Sequence, residues 1–212
     1  HILGSNGRDP LVYEEKDSTL TCYISKTSSE AFLLISSSRT DAALQLFLDA
    51  NNPESKAKLI APLKDNVKYG AEHWGEDFYI LTNENAPNYK LMKTPVSSPE
   101  KKNWKEFIPE NPDVLLDYVQ TFKDFLLLQE VKEGLNKIRL IYWDTKMEKD
   151  IPFDEQAYLA SVGINAEFGS KVVRFEYQSM TTPNSTYDYN TETGEKTLVK
   201  QQEVLGGFDK NL

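Results

Sequence analysis

Four short apolar runs recur along this chain of 212 residues at nearly equal intervals. They begin at Phe32, Phe78, Phe125 and Val172, so that consecutive starts are separated by 46, 47 and 47 residues. A fixed period of about 40 to 50 residues is typical of propellers and other repeat arrays. The chain is therefore expected to fold as four copies of one structural unit.

Each apolar run is accompanied by three further stretches that are rich in aromatic and β-branched residues, as strands are. One stretch precedes each run, at residues 20–25, 67–72, 115–119 and 158–162. A second stretch follows each run, at residues 44–48, 89–92, 138–143 and 186–189. A third comes after it, at residues 57–60, 104–108, 149–153 and 196–199. Gly and Asn supply the positive φ angles that the turns between strands require. The pattern predicts an all-β fold of about four four-stranded antiparallel blades of a β-propeller.

Two other folds were weighed against the propeller. An ordinary β-sandwich with evenly spaced hairpins would also produce alternating strands, but four coincident strand positions at three equal intervals favour blades. The only helix candidates are residues 38–48 and 113–119, and both fit the strand register better.

The repeat also sets the expected domain boundaries. We expect the four blades at about residues 17–65, 66–111, 112–156 and 157–212, which together form a partial propeller domain. Residues 1–16 do not complete a repeat, and we interpret them as the remnant of a preceding blade.

The charge balance and the short apolar runs exclude two classes of partner. With 33 acidic and 24 basic residues the net charge is -9, which provides no basic surface for phosphates, so no nucleic acid is expected to bind. The longest apolar run, Ala31–Ile35, is far shorter than the about 18 to 20 residues of a membrane-spanning helix, so no membrane association is expected. Because no secretory apolar segment is visible at the start, we expect a cytoplasmic protein, with the periplasm as the alternative.

A search for catalytic motifs finds none in this sequence. There is no G-x-S-x-G nucleophile motif, and His73 lacks a nucleophile partner, so we interpret it as a packed or capping side chain. Cys22 lies in a strand pattern and is expected to be a small buried residue. One cysteine and two histidines cannot build the usual zinc patterns. We therefore expect no catalytic residue, metal or cofactor in this chain.

The carboxyl-terminal third of the chain carries a specific resemblance. Residues 174–183 (RFEYQSMTTP), 187–195 (YDYNTETGE) and 200–209 (KQQEVLGGFD) closely resemble the end of the propeller in oligopeptidase B (protease II) enzymes, a group within the prolyl oligopeptidase family of serine peptidases. Earlier stretches agree, among them residues 9–15 (DPLVYEE), 78–83 (FYILTN) and 86–91 (APNYKL). The resemblance extends from residue 1 to residue 212.

The resemblance implies a seven-bladed propeller that covers an α/β-hydrolase domain with a Ser, Asp and His triad. This chain would correspond to about four blades at the end of the propeller, and the triad would lie beyond Leu212. The implied enzyme is a serine oligopeptidase that cleaves short peptides after Arg or Lys, and the propeller would gate and filter the substrate. The implied partners are the hydrolase domain and short basic peptides.

Two charged residues in apolar strands are the candidates for positions near the channel or the domain interface. Glu130 and Arg174 are chosen because a charged side chain that is buried in a strand needs a partner. The sequence departs from the resembled pattern next to Glu130, where Val131 stands in place of an arginine, and again at Gln178.

A second function remains open from the residues alone. A stand-alone propeller can serve as a binding scaffold without enzymatic activity, because a fold does not dictate a function. Four blades also cannot close a ring of seven, so the isolated segment is expected to expose an apolar flank and to self-associate.

Overall fold

The computed structural model describes residue 4, residues 7–52 and residues 54–207. These residues form sixteen β-strands and one short 3-10 helix at Lys101–Asn103. The first sheet contains β1 (Thr21–Lys26), β2 (Phe32–Ser38), β3 (Ala43–Asp49) and β4 (Lys58–Ala61), and the second contains β5 (Tyr69–Trp74), β6 (Asp77–Thr82), β7 (Lys90–Pro95) and β8 (Lys105–Ile108). The third contains β9 (Val114–Thr121), β10 (Phe125–Lys132), β11 (Leu135–Tyr142) and β12 (Glu148–Asp150), and the fourth contains β13 (Tyr158–Val162), β14 (Val172–Ser179), β15 (Ser185–Asn190) and β16 (Lys196–Gln201).

The strands of each sheet are antiparallel and adjacent in chain order, and no strand is shared between sheets. Each of the four apolar runs forms the second strand of its sheet, as predicted. The two stretches weighed as helices are strands or turns. The all-β prediction and the four four-stranded blades are confirmed, whereas a two-sheet sandwich is not what forms.

In a sheet that lies between two others, the second strand is continuously apolar because both of its faces are covered. In β10, Phe125 through Leu128 are all within 1% of complete burial, although neighbouring side chains point to opposite faces. Phe125 and Leu127 pack toward the fourth sheet, and Leu126 and Leu128 pack toward the second. A run without polar alternation is therefore the expected signature of a strand between two layers.

Three apolar clusters join the four sheets in sequence. Phe47 and Phe78 belong to the cluster between the first and second sheets, with ring centroids 4.9 Å apart. The other two clusters lie between the second and third sheets and between the third and fourth. Each interface buries large side chains, which is the dominant favourable contribution to joining the layers.

The first strand of a sheet lies close to the sheet before it. β5 contacts β3 of the first sheet, β13 contacts β11 of the third, and the first strands β5 and β9 also contact each other. In a propeller the blades radiate from a central channel, and we call the edge formed by β1, β5, β9 and β13 the inner edge.

The two end faces of the four-sheet arc differ in chemistry. On the first sheet, Ile24, Ile35, Leu46 and Leu59 are aligned across the four strands on the face opposite to Leu34, and Ile24 is 69% exposed. On the fourth sheet, the corresponding outward face carries polar side chains, among them Arg174, Glu176, Thr186 and Asp188. The apolar flank that we expected is therefore present at the first sheet, whereas the flank of the fourth sheet is polar.

The proposed blade remnant at residues 1–16 falls partly outside the described residues, since residues 1–3 and 5–6 are not described. From residue 7 to the start of β1 the chain forms no strand. The Tyr13 hydroxyl donates to Glu15 and lies 3.5 Å from the Ser37 hydroxyl of the first sheet. The remnant and the blade boundaries remain predictions. Within the described residues, no helix is both long and apolar enough to cross a membrane.

Candidate functional site at the inner edge

Glu130 lies on β10, and its partner is in the same sheet. Its carboxylate accepts a bond from Arg139 Nε of β11 at 3.2 Å and a second bond from Nη2. Arg139 also donates to Glu148 of β12 at 2.6 Å. Glu130 is 8% exposed and continues the row of Leu126 and Leu128, so the ion pair closes one end of the interface with the second sheet. Its proposed role at the channel or domain interface remains a prediction.

Arg174 lies on β14 and is exposed. Its Nε and Nη2 donate to the two carboxylate oxygens of Asp188 on β15 at 2.7 and 2.8 Å. This bidentate bond holds the pKa of Asp188 below its ordinary value. Glu130 and Arg174 belong to different sheets and have different partners, so the structure does not bring them together.

At the inner edge, one carboxylate connects three sheets. Glu72 of β5 accepts a bond from the Ser28 backbone N–H, in the turn after β1, at 3.0 Å and from the Thr121 hydroxyl, at the end of β9, at 3.2 Å. None of the described cations forms an ion pair with it. Burial raises the pKa of Glu72, while these hydrogen bonds oppose the shift.

His73 extends the same junction. Its Nδ1 lies 2.8 Å from the Ser29 hydroxyl in the turn between β1 and β2. Its backbone carbonyl lies 2.9 Å from the Thr121 hydroxyl and shares the single hydroxyl proton with the Glu72 carboxylate. The imidazole packs edge-on against Phe32 with centroids 4.8 Å apart. Burial lowers the pKa of His73. The expectation of a packed histidine agrees with these contacts.

A β-bulge presents two side chains at the inner edge of the third sheet. Tyr118 pairs with Gln129 and Leu116 pairs with Glu130, so Asp117 is the extra residue. The side-chain alternation is thereby interrupted, and both Asp117 and Tyr118 are exposed. Gln129 donates to the Asp117 carboxylate at 2.7 Å and accepts from the Val162 N–H of the fourth sheet at 2.7 Å. The carboxylate is thus held in a fixed position beside the channel edge.

Cys22 does not fit its predicted role. It is exposed on β1, because the first strand of the first sheet is exposed along its whole length.

Among the described residues, no group of three His, Cys, Asp or Glu side chains could hold a metal ion. Trp74 and Trp143 stack on each other between the second and third sheets.

Sequence reasoning missed Glu72, Asp117 and the bulge. The carboxylate of Glu72 meets groups 44 and 49 positions away in the sequence, which is about one repeat in each direction. The only sequence signal for the bulge is an adjacent Asp-Tyr pair inside the apolar stretch 115–119.

Four four-stranded antiparallel sheets, each built from one continuous stretch of the chain and packed face against face, define the class of this chain as a β-propeller segment. Residues 1–202 match the model of the prolyl oligopeptidase N-terminal β-propeller domain, and the chain belongs to this family. The relatives are peptidases. Dipeptidyl aminopeptidase BI of Pseudoxanthomonas mexicana is 34% identical over 208 residues, which cover 97% of this chain and 28% of the relative. Protease 2 of Moraxella lacunata is 33% identical over 213 residues, which cover 100% of this chain and 30% of the relative.

Solved structures show the same architecture. Oligopeptidase B from Leishmania major superposes with a TM-score of 0.85 at 25% identity, over 94% of this chain and 30% of that protein. Oligopeptidase B from Trypanosoma brucei, in a closed form with covalently bound antipain, gives 0.84 at 25% identity over the same fractions. The chain therefore spans less than a third of the length of these relatives, within their propeller region.

Proposed function

We propose that this chain is the part of a serine oligopeptidase propeller that filters substrate for a separate α/β-hydrolase domain, and that the whole enzyme cleaves short peptides after Arg or Lys. The observation that carries the proposal is the match of residues 1–202 to the propeller domain of a peptidase family. The choice of basic substrates rests on the resemblance of the sequence to the oligopeptidase B group, and two oligopeptidase B structures superpose closely with the chain. We further propose a cytoplasmic location.

The chemistry of the inner edge supports a preference for cationic peptides. Asp117 is an exposed carboxylate on the inner strand of the third sheet, and it forms no ion pair within the described residues. A narrow channel with an acidic lining concentrates positively charged ligands, because low-dielectric walls focus the field. The overall charge of -9 has the same sign.

The experiment is a substrate panel on the whole protein from which this segment comes. Short fluorogenic peptides with Arg, Lys, Pro or Ala before the scissile bond are compared with a folded protein that contains accessible Arg residues. We expect cleavage of the Arg and Lys peptides, inactivation by a serine-directed reagent and no cleavage of the folded protein. Preference for the Pro or Ala peptide would refute the proposed specificity.

A second experiment, combined with the peptide panel, separates the enzyme from the binding scaffold. Sequencing of the reading frame past Leu212 should find a G-x-S-x-G motif followed by Asp and His, the triad order of α/β-hydrolases. A stop codon near this position, together with no hydrolysis of any peptide, would favour a scaffold without enzymatic activity.

A further inference from the structure

An aromatic pocket lies between the loop that leaves the third sheet and the fourth sheet. Its walls are the rings of Phe153, Phe175, Tyr177 and Tyr187, and we call these four residues with Glu155 at the rim the aromatic pocket. The volume is about 290 Å³. Ligand pockets for whole small molecules span about 300 to 1,000 Å³, so this pocket suits a single side chain better than a larger ligand.

Phe153 and Tyr187 are partly exposed and present their rings to the pocket, whereas Phe175 and Tyr177 are buried behind them and hold them in fixed orientations. Phe153 and Tyr177 are nearly parallel, with centroids 5.5 Å apart and an interplanar angle of 16°. Tyr187 stands at 84° to Tyr177, with centroids 6.3 Å apart, and stacks on Phe175 at 5.5 Å. Aromatic faces carry negative quadrupole potential, which attracts cations placed within about 6 Å of a centroid.

A fixed carboxylate adds negative charge at the same rim. Glu155 accepts bonds from the Thr182 hydroxyl at 2.7 Å and from the Thr181 hydroxyl at 3.1 Å. Asp154 lies beside it, with an exposed side chain. Burial raises the pKa of Tyr177, and the nearby Glu155 carboxylate raises it further. The phenol therefore lies in an environment that disfavours further negative charge.

One cation of the chain already lies at this site. Lys196 Nζ is 6.0 Å from the centroid of the Phe153 ring, donates to the Pro152 carbonyl at 2.7 Å and lies 3.6 Å from Asp154. Asp154 and Glu155 carry two negative charges against this single positive charge. The rim therefore retains one negative charge when Lys196 is in place.

We infer that the aromatic pocket binds the basic side chain of a peptide, with its cationic group against the ring faces and the Glu155 carboxylate. The inference depends on the pocket alone. Because the experiment measures binding to this chain and not hydrolysis, its outcome is independent of the proposed peptidase activity, and failure of one does not imply failure of the other.

The test is a chemical-shift titration of the isotope-labelled 212-residue chain at low ionic strength. The probes are N-acetyl-arginine amide and N-acetyl-citrulline amide, which has a similar shape but no charge. We expect the arginine probe to shift the amides of residues 153–155, 175–177, 182, 187 and 196, and the citrulline probe to bind at least roughly tenfold more weakly. Equal binding of the two probes, or arginine-induced shifts confined to other residues, would overturn the inference.

Matched variants separate a binding role from a folding role. Tyr187→Phe keeps the ring and should bind as the wild type does, whereas Tyr187→Leu should weaken arginine binding by roughly three- to tenfold. Glu155→Gln should weaken it as well, and the surface change Glu106→Gln should not. Circular dichroism melts establish that each variant is folded.

The variant Lys196→Gln should change the affinity for the arginine probe in the direction opposite to Tyr187→Leu and Glu155→Gln. A purely structural role of Lys196 would not increase the affinity. Removal of the resident cation should tighten binding of the arginine probe by roughly threefold, because two carboxylates then face the ligand alone. Weaker binding in folded Lys196→Gln protein would contradict the inference, even if Tyr187→Leu did not fold.

Discussion

The indole rings of Trp74 and Trp143 stack across the boundary between the second and third sheets, with centroids 4.3 Å apart and planes inclined by 24°. Trp74 Nε1 also donates to the Lys123 carbonyl of the third sheet at 2.9 Å. Trp143 Nε1 donates to the Phe122 carbonyl at 2.9 Å, within its own sheet. The pair thus combines apolar contact with a hydrogen bond that crosses the interface.

Replacement of Trp74 by Leu should lower the free energy of unfolding by about 2 kcal/mol, because the half-buried stack and its interface bond are both lost. Urea unfolding measures this change, and circular dichroism measures the loss of the exciton signal from the stacked pair. Trp104→Leu is the control, since Trp104 Nε1 bonds the Pro99 carbonyl inside the second sheet, and this variant should keep the exciton signal. An unchanged exciton signal in Trp74→Leu would contradict the assignment.

Arg139→Met should lower the free energy of unfolding by about 2 to 3 kcal/mol, somewhat less than the roughly 3 to 5 kcal/mol of a fully buried broken pair. The physical reason is that Glu130 would remain buried without its cation. The double variant Glu130→Gln/Arg139→Met should recover most of the loss. Arg174→Met, which breaks an exposed pair, should leave the urea midpoint unchanged. Equal effects of the two arginine changes would refute the distinction.

Glu72→Gln should stabilise the protein at neutral and higher pH. The pKa of Glu72 is raised in the folded state, so the folded protein binds the proton more tightly and loses stability as pH rises through the folded pKa. Glutamine keeps an oxygen for the Ser28 and Thr121 donors but carries no charge. The advantage of the variant, measured by urea unfolding from about pH 4 to pH 8, should shrink toward the acidic end. If the stability advantage of Glu72→Gln grew as the pH fell, the pKa of Glu72 would be shifted in the opposite direction.

His73 should give the opposite pH dependence. Because the pKa of His73 is lowered from its ordinary value of 6.5, the unfolded chain takes up a proton that the folded protein resists. Stability should therefore decrease as the pH falls below about 6.5, and this part of the decrease should be absent in His73→Gln. The slope of stability against pH is the decisive measurement, since the packing change shifts the curve equally at every pH. Identical slopes for the two proteins would refute the role of His73.

Asp117→Asn in the whole enzyme should raise the KM for basic peptides by roughly two- to fivefold at low ionic strength and reduce its dependence on salt. The carboxylate lies exposed at the inner edge, where a cationic peptide would pass. Asp113→Asn removes an exposed charge just before the same strand and is the matched control. If both variants showed the wild-type KM and salt dependence, the acidic lining would play no part in substrate selection.

The sequence predicts the sheets well because burial on both faces leaves a direct signature. The run Phe125 to Leu128 shows it most clearly, since every position must be apolar. Cys22 shows the limit, because the same strand-like composition occurs on a strand that is exposed along its length. The composition of a stretch predicts a strand, but the exposure of that strand depends on whether a neighbouring sheet covers it.

The inner-edge contacts could not be predicted for a related reason. The bulge at Asp117 depends on the pairing register between β9 and β10, which a single apolar stretch does not specify. The partner of Glu130 is Arg139, nine residues away, although the hairpin register places Lys137 directly opposite Glu130, so the register alone does not identify the ion pair. The repeat period brings residues about 46 positions apart into proximity, but the angle between sheets determines which side chains meet.

Each sheet draws its backbone partners from one continuous stretch of the chain, and no strand is exchanged with a neighbour. On a ribosome that adds about 5 to 20 residues per second, one such stretch of about 40 residues emerges in about 2 to 8 seconds. Each blade can therefore complete the hydrogen bonds between its own four strands before the next blade has been translated. The apolar face that it presents then stays uncovered for a few seconds, so the growing chain is most vulnerable to aggregation between blades rather than within them.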